Sequence, residues 1–290
     1  MKKIIILIPV YNDWQSLNKL LENINLSLSK LNFNISLIVI NDASSEKNTN
    51  DLSKFENIKS IKTINLIKNI GHARSIATGL KHIFEKEEFD YVIPMDGDGE
   101  DRPEEINNFL NLIKDNKNKV IVGERIKRSE NIIFKFCYSA HKIITQIFTG
   151  QSIKFGNYTC LPKSTVEKMI NEEATWNSFS GSLSKIEKER ITSPSIRGIR
   201  YFGPSKMSFY NLINHSLSII SVFKFNVLKR SLLFFIVYFC LIFQNISLVT
   251  FFPIIFLIVL LILIFVISAR ENYKELKNSL QNIKSIETIK

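Results

Sequence analysis

A chain of 290 residues has room for one α/β core of about 200 residues and a smaller appendage, because single hydrophobic cores rarely grow far beyond that size. Lys and Arg outnumber Asp and Glu by 38 to 27, a net charge of +11, which favours anionic partners such as nucleic acid, phosphorylated ligands or acidic lipid headgroups. Cys137, Cys160 and Cys240 are odd in number, far apart and without C-x-x-C spacing, so they suggest neither a disulfide framework nor a zinc site; a reducing compartment is expected.

The chain opens MKKIIILIPVYND. Its apolar run of about seven residues breaks at Pro9, too early for a signal peptide, and reads as a buried first strand. Residues 4–10, 35–41, 61–67, 90–95 and 119–122 are short, β-branched and bounded by polar or turn residues, as buried parallel strands are. Helical spacing fills the gaps: 14–30 carries Leu17, Leu20, Leu21, Ile24 and Leu28, 73–86 is helix-length, and 103–114 opens with Pro103, Glu104 and Glu105 in its first turn. This alternation predicts a doubly wound, Rossmann-like, mostly parallel α/β sheet, in which ligands bind beyond the carboxyl ends of the strands. Tyr11, Asn12, Asp13, Asp42, Asp96 and Asp98 each follow a predicted strand and are expected on that rim.

Mean hydropathy is only +0.06, but the apolar residues are concentrated near the C-terminus. From Ser231 to Ala269, 39 positions carry no charge. That length fits two membrane spans joined by a tight turn near Gln244–Ser247 or near Pro253. Lys224, Lys229 and Arg230 precede the run and Arg270, Lys274 and Lys277 follow it, which places both flanks, and the catalytic-sized domain, on the cytoplasmic side. Residues 207–225 read either as a helix lying among headgroups or as an amphipathic core helix. The expected organisation is a domain over 1–206, a juxtamembrane helix within 207–230, a transmembrane helical hairpin over 231–269, and a cytoplasmic tail over 270–290, Lys-rich and read as a frayed helix.

The sharpest chemical signal is Asp96-Gly97-Asp98-Gly99-Glu100-Asp101 at a strand end. Four carboxylates within six residues repel one another, and a divalent cation, Mg2+ or Mn2+, most easily neutralises them. Asp96 and Asp98 fall on one face of an extended segment. Pro9 to Asp13 and Asn41 to Ser45 follow the first two strands; each alone reads equally well as a turn, but with the third they form a carboxylate-lined crevice.

The ordered set of motifs resembles a family-2 glycosyltransferase of the GT-A fold, in the branch that includes dolichyl-phosphate mannose synthase and bacterial polyprenyl-phosphate glucosyltransferases. The resemblance rests on the three strand-end segments, Asn69-Ile-Gly71-His-Ala-Arg74 with Gly79, Val122-Gly-Glu-Arg125, Thr149-Gly150, and Arg200-Tyr-Phe-Gly203-Pro-Ser205-Lys206. It implies a nucleotide diphosphate-sugar donor contacted by Pro9, Tyr11, Asp13, Asp42, Asn69, Gly71, Arg74 and Asp96, with the metal on Asp98, Asp96 and Glu100. It implies Arg125, Arg128, Arg200, Ser205 and Lys206 near an acceptor phosphate, and a catalytic set of Asp96, Asp98, Arg125 and Arg200. The implied acceptor is a polyprenyl phosphate presented at a lipid bilayer, and arginine suits it because a guanidinium grips phosphate through two parallel hydrogen bonds. One departure is Lys154, which stands where relatives often carry an Asp proposed as a base. A phosphate acceptor tolerates this, being already deprotonated at neutral pH.

Two alternatives stay open: transfer to a hydroxyl of a membrane-associated glycan, and a non-catalytic nucleotide-sugar-binding membrane subunit. Neither RNA-stacking nor helix-turn-helix signatures are visible, so no nucleic acid partner is expected. A homo-oligomer is left open. His72, His82, His141 and His215 show no ligand spacing and receive no role, although His72 lies in the Gly-rich element where diphosphate contact is open.

Overall fold

The computed structural model describes residues 1–28, 33–48, 52–127, 132–204 and 208–290. Strand β1 (Lys3–Val10) is buried at every position after Lys3, as a strand covered on both faces must be. Its side chains alternate between two cores. Ile4, Ile6, Ile8 and Val10 join helices α1 (Trp14–Leu28) and α3 (Ile106–Asp115) on one face, while Ile5 and Leu7 meet α2 (His72–Lys86), α5 (Lys163–Ile170) and α6 (Phe179–Ile186) on the other. The predicted helix over 14–30 is thus present to Leu28; its last two residues lie outside the described ones.

The remaining strands are β2 (Asn34–Asn41), β3 (Ser60–Leu66), β4 (Tyr91–Pro94), β5 (Val120–Lys127), β6 (Thr159–Pro162), β7 (Arg190–Ile196) and β8 (Ile283–Thr288). They form one sheet in the order β7-β5-β6-β4-β1-β2-β3-β8. β1 runs parallel to β2 and β4, β2 to β3, and β5 to β7, whereas β6 is antiparallel to both β4 and β5. The sheet is therefore more mixed than the β–α alternation implied. β6 has only four residues and β7 (RITSPSI) is largely polar, so neither carries the apolar run that marks a buried strand.

After β7 the chain builds α7 (Phe209–Ser221), α8 (Lys224–Ile242) and α9 (Leu248–Ser268). The expected domain boundary at 206/207 falls outside the described residues. The α8–α9 turn falls at residues 243–247, the first of the two expected places; Pro253 lies inside α9. Ser247 and Thr250 cap α9 reciprocally, and the Tyr238 hydroxyl donates to the Thr250 carbonyl at 2.9 Å, pinning the two helices near their turn. Both helices are long and apolar enough to cross a membrane, and most of their side chains are exposed. A soluble core helix would be mostly buried.

The tail differs from the frayed helix expected of it. After a short helix, α10 (Tyr273–Lys277), and a 3-10 turn, the chain returns to the sheet as β8, antiparallel to β3. An otherwise open row of N–H and C=O groups on β3 supplies the partner, and that cause is invisible to the tail's own periodicity. Leu276 is fully buried against Ala77 and Trp176, the Trp176 indole donates to Glu275 at 2.7 Å, and Lys224 pairs with Glu271 at 2.7 Å. The hairpin is consequently clamped to the α/β core on both sides. Leu276→Ala should lower stability by about 2–5 kcal/mol and speed amide exchange in residues 283–288 ahead of the central strands, as thermal unfolding and hydrogen-exchange mass spectrometry would read.

Candidate active site

The carboxyl ends of β1, β2 and β4 set the rim. Asn12 and Ala43, both at positive φ, turn the chain sharply after β1 and β2. The two loops are laced together: the Asn12 amide donates to Ser44 Oγ at 2.9 Å and the Ser45 amide to Asn12 Oδ1 at 2.8 Å. The Asn and Ser turn formers of these motifs therefore serve the rim's architecture.

Asp96, Asp98, Glu100 and Asp101 converge as the sequence implies, and each is answered by a residue distant in sequence. Asp96 Oδ1 lies 3.2 Å from His72 Nε2 and 3.3 Å from Asn157 Nδ2. Asp98 accepts the Glu100 amide at 3.0 Å on one oxygen and Arg200 Nη1 at 2.7 Å on the other. Arg200 also pairs with Asp13, and Arg197 pairs with Glu100. Asp101, buried to 2% exposure, takes the Asp96 amide at 2.9 Å and faces Arg125 at 3.4 Å.

Crowding separates the acidities of these groups. Burial and then the Asp96 charge push Asp98 up to about 6 and Asp101 up to about 7. Burial acts on Asp96 in the same sense, but the neighbouring His72 and Arg125 charges outweigh it and hold that carboxyl well below the usual range. His72 is raised: burial opposes its protonation, and Asp96 more than offsets this.

Segment 197–201 is docked on the acidic loop through its backbone, the Gly198 amide donating to the Glu100 carbonyl at 2.8 Å and the Tyr201 amide to the Asp98 carbonyl at 3.0 Å. Gly99, at φ +90°, allows this: a Cβ there would lie 2.4 Å from the Tyr201 ring.

Pro9, Tyr11, Asp13, Asp96, Asp98, Glu100, Arg125 and Arg200 line a single cavity of about 1080 Å³, together with Lys154, which pairs with Glu124 at 3.1 Å. The cavity continues without a wall into an apolar trough. Ile144, Ile147 and Phe148 of α4 (Ile132–Thr149), Leu212 and Ile213 of α7, Phe234 of α8 and Leu257 of α9 line it.

Other predicted residues lie elsewhere. Asp42 is buried and accepts the Ile70 and Gly71 amides at 2.8 and 3.0 Å, tying the end of β2 to the start of α2. Arg74 does not line the cavity; it sits over the Trp176 ring, 3.9 Å from Glu275, because the returning tail supplies an aromatic face and a carboxylate there. Asn69 is exposed and also off the lining. Arg128, Ser205 and Lys206 lie outside the described residues. The sequence reading missed Asn157, Arg197 and Tyr201, and gave His72 no role; each is an ordinary residue until the fold sets it against the acidic loop.

A mixed α/β sheet with an acidic loop at its carboxyl rim is the GT-A architecture. The model of glycosyl transferase family 2 matches residues 5–179, and the chain belongs to that family. Among curated proteins it is similar to undecaprenyl-phosphate 4-deoxy-4-formamido-L-arabinose transferases. The identity is 26% to that of Klebsiella pneumoniae (strain 342) and 29% to that of Proteus mirabilis (strain HI4320), each over 73% of this chain and 65% of the relative. The chain thus spans a little under two thirds of their length. Among solved structures, mannosyltransferase PcManGT from Pyrobaculum calidifontis, in complex with GDP-Man and Mn2+, matches with a TM-score of 0.53 at 12% identity, covering 97% of this chain and 87% of that one.

Gly99→Ala should force Tyr201 off the loop. The expected result is a lower melting temperature and loss of the Asn23–Tyr201 hydrogen bond, now 2.8 Å, visible as faster exchange across residues 197–201.

Proposed function

We propose that this chain is a membrane-anchored glycosyltransferase that moves a sugar from a nucleotide diphosphate-sugar to a polyprenyl phosphate. One observation carries the reading: the acidic rim and the apolar trough beside α8 and α9 are parts of one cavity. A polar donor site opening into a lipid-lined channel suits an acceptor with an anionic head and a long apolar tail. The names of the curated relatives, which specify undecaprenyl phosphate, support the same acceptor class. α8 and α9 would cross the bilayer as a hairpin with both basic flanks, and the catalytic domain, on the cytoplasmic side. α7, with Phe209 and Tyr210 exposed, would lie at the headgroup level.

The donor set at Asp98 and Asp96 fits a hard divalent ion: the oxygens are carboxylate, burial and then the Asp96 charge raise the Asp98 pKa, and Arg200 already stands there as a positive partner. Asp98 and Asp96 would hold Mg2+ or Mn2+. Glu100 is committed to Arg197 and contributes at most after that pair opens. When bound, the ion offsets the charge that develops on the departing nucleoside diphosphate. The Mn2+ in PcManGT is consistent with this assignment.

Asp13, Tyr11 and Pro9 would shape the donor side of the cleft, and Asp42 would support it indirectly by fixing the Ile70–Gly71 turn. Arg125 and Arg200 would orient the acceptor phosphate, whose oxygen attacks the anomeric carbon without needing a base. Lys154, paired with Glu124 behind it, lines the cavity at the place where the family pattern often has an Asp. It favours phosphate over a glycan hydroxyl as acceptor.

Asp98→Ala should abolish sugar transfer while leaving the melting temperature within a few degrees of the parent. Retained turnover would remove the mechanism. Membranes given a panel of nucleotide sugars with Mn2+ should yield label in the extracted lipid fraction; label only in non-lipid glycan would favour the hydroxyl acceptor. Leu212→Trp, which narrows the trough, should raise KM for a long-chain polyprenyl phosphate about tenfold with kcat little changed, equivalent to about 1.4 kcal/mol of binding, and spare a short-chain phosphate.

A further inference from the structure

Every guanidinium nitrogen of Arg200 already has a partner inside the protein. Its Nη1 holds Asp98, its Nη2 holds Asp13, and its Nε donates to the Phe202 carbonyl at 3.0 Å. The side chain is 14% exposed and lies between two carboxylates at 19% and 20%. In this arrangement a substrate phosphate that takes two parallel hydrogen bonds from the fork must compete with the carboxylates already on it. Asp98 is equally committed, one oxygen to the Glu100 amide within its own loop and the other to Arg200. Among the described residues no three His, Cys, Asp or Glu side chains stand together as a ready ligand set.

We propose that Arg200 is a resident counterion of Asp98 which a divalent cation displaces, and that this displacement frees the guanidinium for the acceptor phosphate, so that cation and acceptor bind cooperatively. The inference rests on the cation and acceptor assigned under the proposed function. Its physical basis is an exchange of charge: a dication replaces a monocation at a partly buried carboxylate, where attraction is stronger than in bulk water. The two backbone bonds from Gly198 and Tyr201 hold the segment on the acidic loop, so only the long Arg200 side chain must move. Asp13 retains it on the rim of the same cavity that Arg125 lines. Without the cation, an acceptor phosphate would have to compete with two carboxylates for the fork. Linkage makes the effect reciprocal: the cation strengthens acceptor binding by the factor with which the acceptor strengthens cation binding.

The test measures Mn2+ binding to the full chain in detergent micelles from the electron paramagnetic resonance signal of free Mn2+, with no turnover involved. Arg200→Ala should bind Mn2+ about tenfold more tightly than the parent, within the usual span of coupling between sites. Arg125→Ala, which removes the same charge from beside Asp101 and Asp96 but vacates no oxygen of Asp98, should gain less. Unchanged or weaker Mn2+ binding in Arg200→Ala, or an equal gain in Arg125→Ala, overturns the proposal. If Arg200→Ala does not fold, the unmodified chain carries the test: dodecyl phosphate should bind at least about fivefold more tightly with Mn2+ than without, and equal affinity overturns the proposal. Asp98→Asn separates the two levels. If the parent binds no Mn2+, or Asp98→Asn binds it equally well, the cation site itself fails; if Asp98→Asn alone loses binding, a flat Arg200→Ala result strikes only the exchange.

Discussion

Five carboxylates, Asp13, Asp96, Asp98, Glu100 and Asp101, meet where the central strands end, and their mutual repulsion must be answered before the rim can hold any shape. The answer comes from four cations on three segments far apart in sequence: His72 at the start of α2, Arg125 on β5, and Arg197 and Arg200 after β7. These pairings stitch all three segments to the Asp96–Asp101 loop. The charge pattern thus acts as assembly instruction as well as chemistry, because removing a cation leaves a buried carboxylate without compensation. The spread of acidities in the cluster, with Asp96 depressed and Asp98 and Asp101 raised, is the electrostatic record of that crowding.

The second constraint is mechanical. The apolar hairpin is not a free tether, since the chain after α9 returns to the α/β core through Glu271, Leu276 and β8, while α8 is fastened on its other side: Asn226 and Arg230 donate to the Thr149 and Ile147 carbonyls at the end of α4. Those contacts satisfy carbonyls that a helix end leaves open, and they hold α4, α7, α8 and α9 around one trough. The same returning segment reaches α2, whose first residue faces Asp96. The apolar hairpin and the acidic rim are parts of one packed unit, so the trough keeps a fixed relation to the carboxylates.

Much of the central core was legible in the chain. The alternation of short β-branched runs with amphipathic helices located β1 to β4, the start of β5, and α1 to α3 because those elements bury one residue class at a regular period, and the 39 uncharged positions marked the hairpin by length alone. β6, β7 and β8 were not legible. They are short or polar, and their strand form comes from the open edges they pair with rather than from local preference.

At the site, the acidic cluster, the Gly residues that let the chain pass close to it and the positive residues available to it can be read from the chain, since type and spacing fix charge and turn chemistry. The pairings came with the folded arrangement. Arg74 and Asp42 were drawn into supporting contacts by the tail and by the α2 turn, whereas His72, Asn157 and Arg197 were brought to the loop from elements that local periodicity cannot bring together. The difference is one of range: helical and strand periods report which face of an element is buried, but which charge meets which depends on sheet order and on contacts across more than a hundred residues, as Arg200 makes to Asp98 and Asp13.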